Sequence, residues 1–419
     1  MPTTHTDVLI IGAGPAGLAA AVELKRQGVR DLLVVEREAE AGGLPRLCDH
    51  LGFGWPDLRR VFSGPGYARH YRGLAQAAGV AIRPQTAVTG WAGPTAVTYT
   101  SPEGLGEIAA RTVLLATGCR ERPRAARLVP GSRPAGVFTT GSLQRFVHEQ
   151  HLPVGRRAVI VGAELVSLSA LLTLRQAGTA TVAFLDEQPR PQLYFPYNVA
   201  QLVLADGLYQ TPVLSRVQVT AILGRPRVEA VEATHLDTGR VERIACDTVV
   251  FTGGWIPEHE LARLGGLAMD PGTRGPRLDG AFRTSRPGVF AAGNLLRGAE
   301  TAGLSALEGR RAAGQMVEFL RGQAWPAPGL PITVEAPLSW ICPNLFDPAA
   351  PLAGLRFRSA AFRERVRVSV YQGERRLQTQ RFRQLVVNDS LALDPAGLHQ
   401  ADPAGAALRV VVEPAPGRG

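Results

Sequence analysis

The sequence predicts an α/β protein with two Rossmann-like dinucleotide-binding units and a small all-β domain at its C-terminal end. Three observations predict it. A strand–helix–strand pattern with glycines at fixed spacing opens the chain at residues 7–36. A pattern with the same frame returns at residues 159–187. Beyond residue 330 the periodicity changes to strict alternation, as in "RVRVSV", which is the mark of half-buried strands.

The first unit reads "DVLIIGAGPAGLAAAVELKRQGVRDLLVVERE". Residues 7–11 form a short buried strand. Gly12, Gly14 and Gly17 give G-x-G-x-x-G, Pro15 and Ala16 open a helix that runs to about Gln27, and a second strand closes at Glu36, before Arg37. Gly12 permits the tight turn, Gly14 lets a pyrophosphate approach the helix N–H groups, and Gly17 lets helix and strand pack closely. Glu36 offers a carboxylate to a ribose, and Pro15, Ala16 and Arg37 are candidate cofactor-binding residues beside it. The elements in register predict dinucleotide binding.

Composition narrows the class. The 419 residues are 45% hydrophobic and 20% charged, enough chain for two or three domains. No uninterrupted apolar run reaches the roughly 18 residues of a membrane helix, so no membrane insertion is expected. The first residues run into a strand without a basic leader or cleavage site, and the expected location is cytoplasmic. The net charge is +10, with Lys25 the single lysine. From Pro351 onward eleven arginines face six acids. They are spread along alternating strands, which favours a solvated surface over a nucleic-acid face. Cys48, Cys119, Cys246 and Cys342 are far apart and form no C-x-x-C, so neither a metal site nor a redox dithiol is indicated.

Three further stretches carry a resemblance. "EREAEAGGLPR", "RTVLLATGCRERP" and "FRTSRPGVFAAGN" resemble the flavoproteins with two dinucleotide-binding domains, the pyridine nucleotide–disulfide oxidoreductase superfamily. The resemblance implies FAD as cofactor in the first site. It implies that Gly43, Leu44 and Arg46 lie under FAD, that Ala87 and Val88 contribute to its site, and that Ala116, Thr117 and Gly118 end a strand against it. It also implies a ribityl contact from Gly293 and Asn294. The family has an acid where this chain has Asn294, and an amide oxygen can still accept a hydroxyl. Thr301 and Ala302 open a helix whose N-terminus points, in the family, at the flavin pyrimidine, where its partial positive charge favours reduced flavin. "GGLPRLCDHLGFG", "SGPGYARHY" and "CDTVVFTGGWIPEHEL" are similar to one branch: flavoprotein subunits associated with glycerol-3-phosphate-type dehydrogenases, close to those of opine, proline and cyanide-forming amino acid dehydrogenases. That resemblance implies a partner, another redox subunit.

The second unit keeps the frame and changes the glycines. In "AVIVGAELVSLSALLTLRQAG" Gly162 fits the first position, Glu164 replaces the second and Ser167 the third. A side chain at the second position fills the space of a pyrophosphate. A carboxylate also repels it, by roughly 4 kcal/mol for unit charges about 4 Å apart at an effective dielectric of 20. Glu164 could instead cap its own helix. Asp186 and Glu187 end the following strand. The second site is expected not to take NAD(P)H.

Without NAD(P)H or a dithiol, electrons reach the flavin from a small-molecule substrate or from a partner protein. Cys48 and His50, in the loop after the glycine pair, are the candidate catalytic residues. His50 could act as general base and Cys48 could tune the flavin. A packed thiol and a hydrogen-bonded structural histidine are the commoner roles. Arg120 and Arg122 read as cap or interdomain ion pairs, and Cys119 as core.

The expected division is an FAD-binding domain at 1–123 and 281–325, an NAD(P)-type domain with a degenerate fingerprint at 124–280, and a β domain at 331–419. The proline-rich stretch from about residue 325 to 354 reads as a linker crossing the surface. The expected function is an FAD-dependent dehydrogenase subunit passing electrons between a small amine or hydroxy compound and a partner redox protein. The alternatives are an NAD(P)H-dependent flavin reductase and a catalytically silent flavin-binding scaffold subunit.

Overall fold

The computed structural model describes residues 2–195, 197–208, 210–350, 352 and 354–414. The strand Thr3–Ile11 pairs in parallel with Leu32–Val35 on one side and with Gly104–Leu115 on the other. Leu32–Val35 pairs in turn with Ala81–Arg83. The strand Gly104–Leu115 serves two partners along its far edge. Its first half pairs antiparallel with Ala96–Ser101, and its last residues pair in parallel with Val289–Ala291. A strand some 280 positions further along the chain thus joins the sheet that Thr3–Ile11 begins. The "LLVV" and "VFA" strands are buried at every position, as strands covered on both faces are.

Two helices cover this sheet where it matters. Pro15–Arg26 follows the first turn, and Ala302–Leu320 packs against it. Gly309 allows the closest approach, because a Cβ there would run into the backbone of Ala16.

The second unit has its own parallel sheet in the order Val137–Thr139, Thr248–Phe251, Arg157–Val161, Ala180–Asp186 and Val213–Ser215. The helix Leu165–Gln176 packs on it. An antiparallel set of Val217–Leu223, Ala230–His235 and Val241–Ala245 lies beside it.

After the last helix the stretch expected as a surface linker is structured instead. It supplies the strands Leu330–Val334, Leu338–Cys342 and Leu345–Phe346. Pro337 and Pro343 stand at the turns between them, and Pro331 is the second residue of its strand, so no proline falls in the middle of a strand. Burial drives the ordering: Ile332, Leu338, Trp340, Ile341 and Phe346 are all buried. Two sheets result, one of five strands and one of three, around a separate apolar cluster that includes Phe357, Val368, Leu385 and Leu408. Trp340 and Cys342 instead join the core of the first unit. The alternating stretch forms a hairpin that turns at Gly373, between Arg363–Gln372 and Arg375–Leu385.

Candidate cofactor site

The first glycine turn has the geometry its spacing predicts. Gly12 has φ +106°, and a Cβ there or on Gly17 would run into backbone carbonyls, of Ala116 and Gly12 respectively. These two glycines serve the fold. Gly14 differs: a Cβ there would meet nothing nearer than Gly43 Cα, at 3.9 Å. The outer face of the turn is open at Gly14. The helix Pro15–Arg26 has no side-chain cap at its start, so its first N–H groups are not claimed by a side chain and suit an anion.

Glu36 sits beside this turn, buried. Its Oε2 accepts the Ala13 N–H at 2.8 Å, and its Oε1 the Glu38 N–H at 3.0 Å. Thr86 N donates to the Glu36 carbonyl at 2.8 Å, which brings Ala87 and Val88 to the same corner. Arg37 is exposed, with Glu38 and Glu258 at 3.7 and 3.9 Å. Leu44 is partly exposed. Arg46 is turned toward Glu149, at 3.5 Å, and Glu40, at 4.0 Å.

The strand-end residues converge from the other side. Ala116 N bonds Ile11 O, and Thr117 Oγ1 donates to Glu258 O at 2.8 Å. Gly293 takes φ +76° against Ala16 and donates its N–H to Glu308 Oε2. Thr301 caps the last helix by accepting Leu304 N, with Ala302 as its first residue. Asn294 Oδ1 accepts both the Glu300 N–H and the Ser305 hydroxyl, each at 3.0 Å. Those bonds use both lone pairs of the amide oxygen. The Asn294 N–H₂ lies within reach of the Cys119 thiol.

One residue at this end was not singled out in the sequence. The side chain of Asp57 is fully buried, and its Oδ2 accepts the hydroxyls of Tyr67 and Tyr71 at 2.9 and 2.6 Å. Its Oδ1 has no hydrogen-bond partner and lies 2.6 Å from where a Gly303 Cβ would stand. A carboxylate thus rests on the first turn of the last helix, where it offsets part of the helix's positive end. Nothing in the local pattern "GWPDL" marks it, because Gly303 and the two tyrosines come from other elements.

Cys48 and His50 come together with Gln144 and Ser169 of the second unit. Gln144 Nε2 donates to Ser169 Oγ at 2.8 Å, and Ser169 Oγ is 2.7 Å from His50 Nε2. His50 Nδ1 faces Leu51 O at 2.8 Å. A carbonyl only accepts, so Nδ1 carries the proton and Nε2 accepts from Ser169. The Cys48 thiol lies 3.4 Å from Leu44 O and 3.6 Å from Gln144 Oε1. Burial pushes it up to about 12, so it keeps its proton at neutral pH and is no thiolate nucleophile. Arg120 pairs with Glu258 and Glu260, at 2.9 and 2.6 Å, Arg122 bonds Ala126 O, and Cys119 is buried.

The second turn is closed. Glu164 is buried and makes no side-chain cap to its helix, so the capping alternative is not realised. Its carboxylate instead lies over Gly162 and Gly253: a Cβ on Gly162 would meet Oε2 at 2.6 Å, and one on Gly253 would run into Oε1. Burial, opposed by the Thr252 hydroxyl, holds the Glu164 carboxyl up at about 7. Ser167 is buried and turns its hydroxyl back to Glu164 O at 2.5 Å. The chain then crosses the turn. Gln192 bridges to Glu164, with its N–H on Ala163 O. Gln192 Nε2 also covers both oxygens of Asp186, at 3.1 and 2.9 Å, and Asn388 of the C-terminal sheets bonds Gln192 Oε1. The acid that would meet a ribose is already occupied.

Fold and site together define a dinucleotide-binding protein with an open cradle in its first unit and a filled one in its second. Comparison with known proteins gives the family. The model for pyridine nucleotide-disulphide oxidoreductases matches residues 6–309, and the chain belongs to that family. It is 28% identical over 302 residues to the thioredoxin reductase of Treponema pallidum, covering 70% of this chain and 89% of that one. It is 28% identical over 337 residues to an opine oxidase subunit of Agrobacterium tumefaciens, covering 73% of this chain and 64% of that one. The chain therefore spans less than two-thirds of the opine oxidase relative. Among solved structures, the thioredoxin reductase of T. acidophilum shares the fold, with a TM-score of 0.62 at 22% identity over 75% of this chain and 98% of that one.

FAD is the cofactor of this family, and the protein is an FAD-dependent oxidoreductase. The open face at Gly14, the uncapped helix start and the buried Glu36 fit that cofactor. Among the described residues no cluster suited to a metal ion occurs, and no helix is long and apolar enough to cross a membrane.

Proposed function

We propose that the protein is the flavoprotein subunit of a dehydrogenase, passing electrons between a small amine or hydroxy compound and a partner redox protein. The filled second turn carries this reading. With Glu164 over Gly162 and Gly253, and Gln192 on Asp186, a nicotinamide dinucleotide has no cradle in that unit. All four cysteines are free and none is paired in a C-x-x-C, so a dithiol route is not supported either. Bound FAD supplies a two-electron acceptor for a substrate C–H bond. The likeness to a chain named as part of an opine oxidase supports a partner.

In this reading Gly12, Gly14, Pro15, Ala16, Gly17, Glu36, Gly43, Ala87, Ala116, Gly293, Asn294 and Thr301 line the FAD site. Arg46, whose Nη1 faces Glu149 and Glu40 and whose Nε makes no hydrogen bond, stays a candidate for the same site. His50 remains the candidate base, and it acts only when Ser169 releases its Nε2. The working division is 1–123 with 281–325, then 124–280, then 331–419.

Anaerobic mixing of the FAD-loaded protein with NADH, NADPH, and a panel of amines and hydroxy acids checks this. An amine or hydroxy compound should bleach the flavin, and neither nicotinamide should do so quickly. Rapid bleaching by NADH alone would establish the flavin reductase alternative.

A further inference from the structure

The loop between the strand Val289–Ala291 and the last helix is gripped from the C-terminal sheets. Arg358, on the strand Leu355–Ser359, is buried. Its Nη2 donates to Ala299 O at 3.1 Å and lies 3.6 Å from Glu300 Oε1, and its guanidinium stacks 5.0 Å from the Trp340 ring. Glu300 also pairs with Arg297 Nε at 3.2 Å, and Arg297 reaches Glu308 of the last helix and the Cys342 thiol. All these groups lie away from water. Burial alone would favour the neutral Glu300 acid, but Arg297 and Arg358 outweigh it and hold the carboxyl below its ordinary range.

The network ends on the ligand-facing residues. The Glu300 N–H donates to Asn294 Oδ1, and Thr301, the next residue, is the helix cap. The same sheets also hold the chain before the strand: Asn344 Oδ1 accepts Leu278 N at 3.0 Å, and Asp347 pairs with Arg283 at 2.6 Å. Arg297 still faces Glu300 when Arg358 is removed, but a buried carboxylate that loses one of its cations, beside an Ala299 carbonyl that loses its donor, is held less firmly.

We propose that the C-terminal β unit sets FAD affinity: Arg358 is a positioning residue that fixes Glu300, and through it Asn294 and the start of the last helix, in the geometry that binds the cofactor. The proposal rests on the FAD reading of the first site. It gives the β unit a task inside this chain, distinct from docking a partner.

The full-length apoprotein of wild type, Arg358→Met, Arg358→Lys and Glu300→Gln would be titrated with FAD by flavin fluorescence. Visible-region circular dichroism of the bound flavin and the apoprotein melting temperature would be recorded beside it. Arg358→Met and Glu300→Gln should each weaken FAD by roughly tenfold or more, the size seen when supporting partners of buried ligands are removed, with an altered flavin dichroism. Arg358→Lys should recover most of the affinity, because a cation is restored beside Glu300. Wild-type affinity and dichroism in both Arg358→Met and Glu300→Gln would overturn the proposal. If Arg358→Met does not fold, Glu300→Gln and Arg358→Lys carry the same criterion: unchanged FAD binding in Glu300→Gln overturns it. A wild type that holds no FAD would overturn the reading of the first site as well, whereas an FAD-bound wild type with unaffected variants overturns the clamp alone.

Discussion

The two glycine turns of this protein share a frame and differ in what stands on it. In the first, Gly14 leaves open space, and the helix behind it is uncapped. In the second, Glu164 fills the corresponding space, and Gln192 crosses over it. Both still form a parallel sheet with a packed helix. The strand and helix are held by apolar burial, such as Ile160, Leu171 and Phe184 in the second unit. The glycines at the ligand are therefore separable from the fold, and a family can keep the architecture after a site has been filled.

The comparison breaks most sharply at Gly14. Gly14→Glu should abolish FAD binding, because it puts into the open turn what the second unit already has. Gly14→Ala is the control: its methyl has 3.9 Å of room and the fold should be unchanged. Absorbance of the purified proteins near 450 nm reads both. Stoichiometric flavin in Gly14→Glu would mean that the open turn is not the pyrophosphate site.

The filled turn has a pH signature. The Glu164 carboxyl lies at about 7, against an ordinary 4.5. The folded state therefore binds more protons than the unfolded one between these values, so stability falls as pH rises from about 4.5 to about 7 and levels off above. The span is ~3 kcal/mol. Glu164→Gln should remove most of that fall, which urea unfolding at pH 5 and pH 8 measures directly. An identical pH dependence in both proteins would show that another group titrates.

Asn294 sharpens the open side. Asn294→Asp keeps both acceptor bonds, from the Glu300 N–H and the Ser305 hydroxyl, and its second oxygen can accept a ribityl hydroxyl, so it should retain FAD. Asn294→Leu leaves both donors without a partner at a cost of about 1–3 kcal/mol, and FAD should loosen. Equal FAD affinity in all three proteins would detach Asn294 from the cofactor.

The smallest effect is expected from emptying the second turn. Wild type should show no saturable NADH binding in the micromolar range by calorimetry. Glu164→Gly with Ser167→Gly should raise nicotinamide affinity detectably but modestly, since Gln192 still covers Asp186; adding Gln192→Ala should raise it further. Tight NADH binding by the wild type would place the phosphates elsewhere.

By itself the sequence determined what depends on near neighbours along the chain. Glycines at 12, 14 and 17, the acid at 36 and the alternation after Arg363 mark turn, helix and strand because backbone sterics and period act over a few residues. It also determined that a carboxylate stands in the second fingerprint. Tertiary structure decided where that carboxylate points, and that Gln192 and Asn388 close over the turn. It decided that residues 330–346 are strands, since burial of Trp340 and Phe346 outweighed their proline-rich composition. It also decided that both lone pairs of Asn294 Oδ1 are spent and that Arg358, 64 positions further along the chain, governs the loop beside it. Each of these depends on which distant segment arrives at a given point, and that is set by packing of the whole chain, on which a local pattern carries no information.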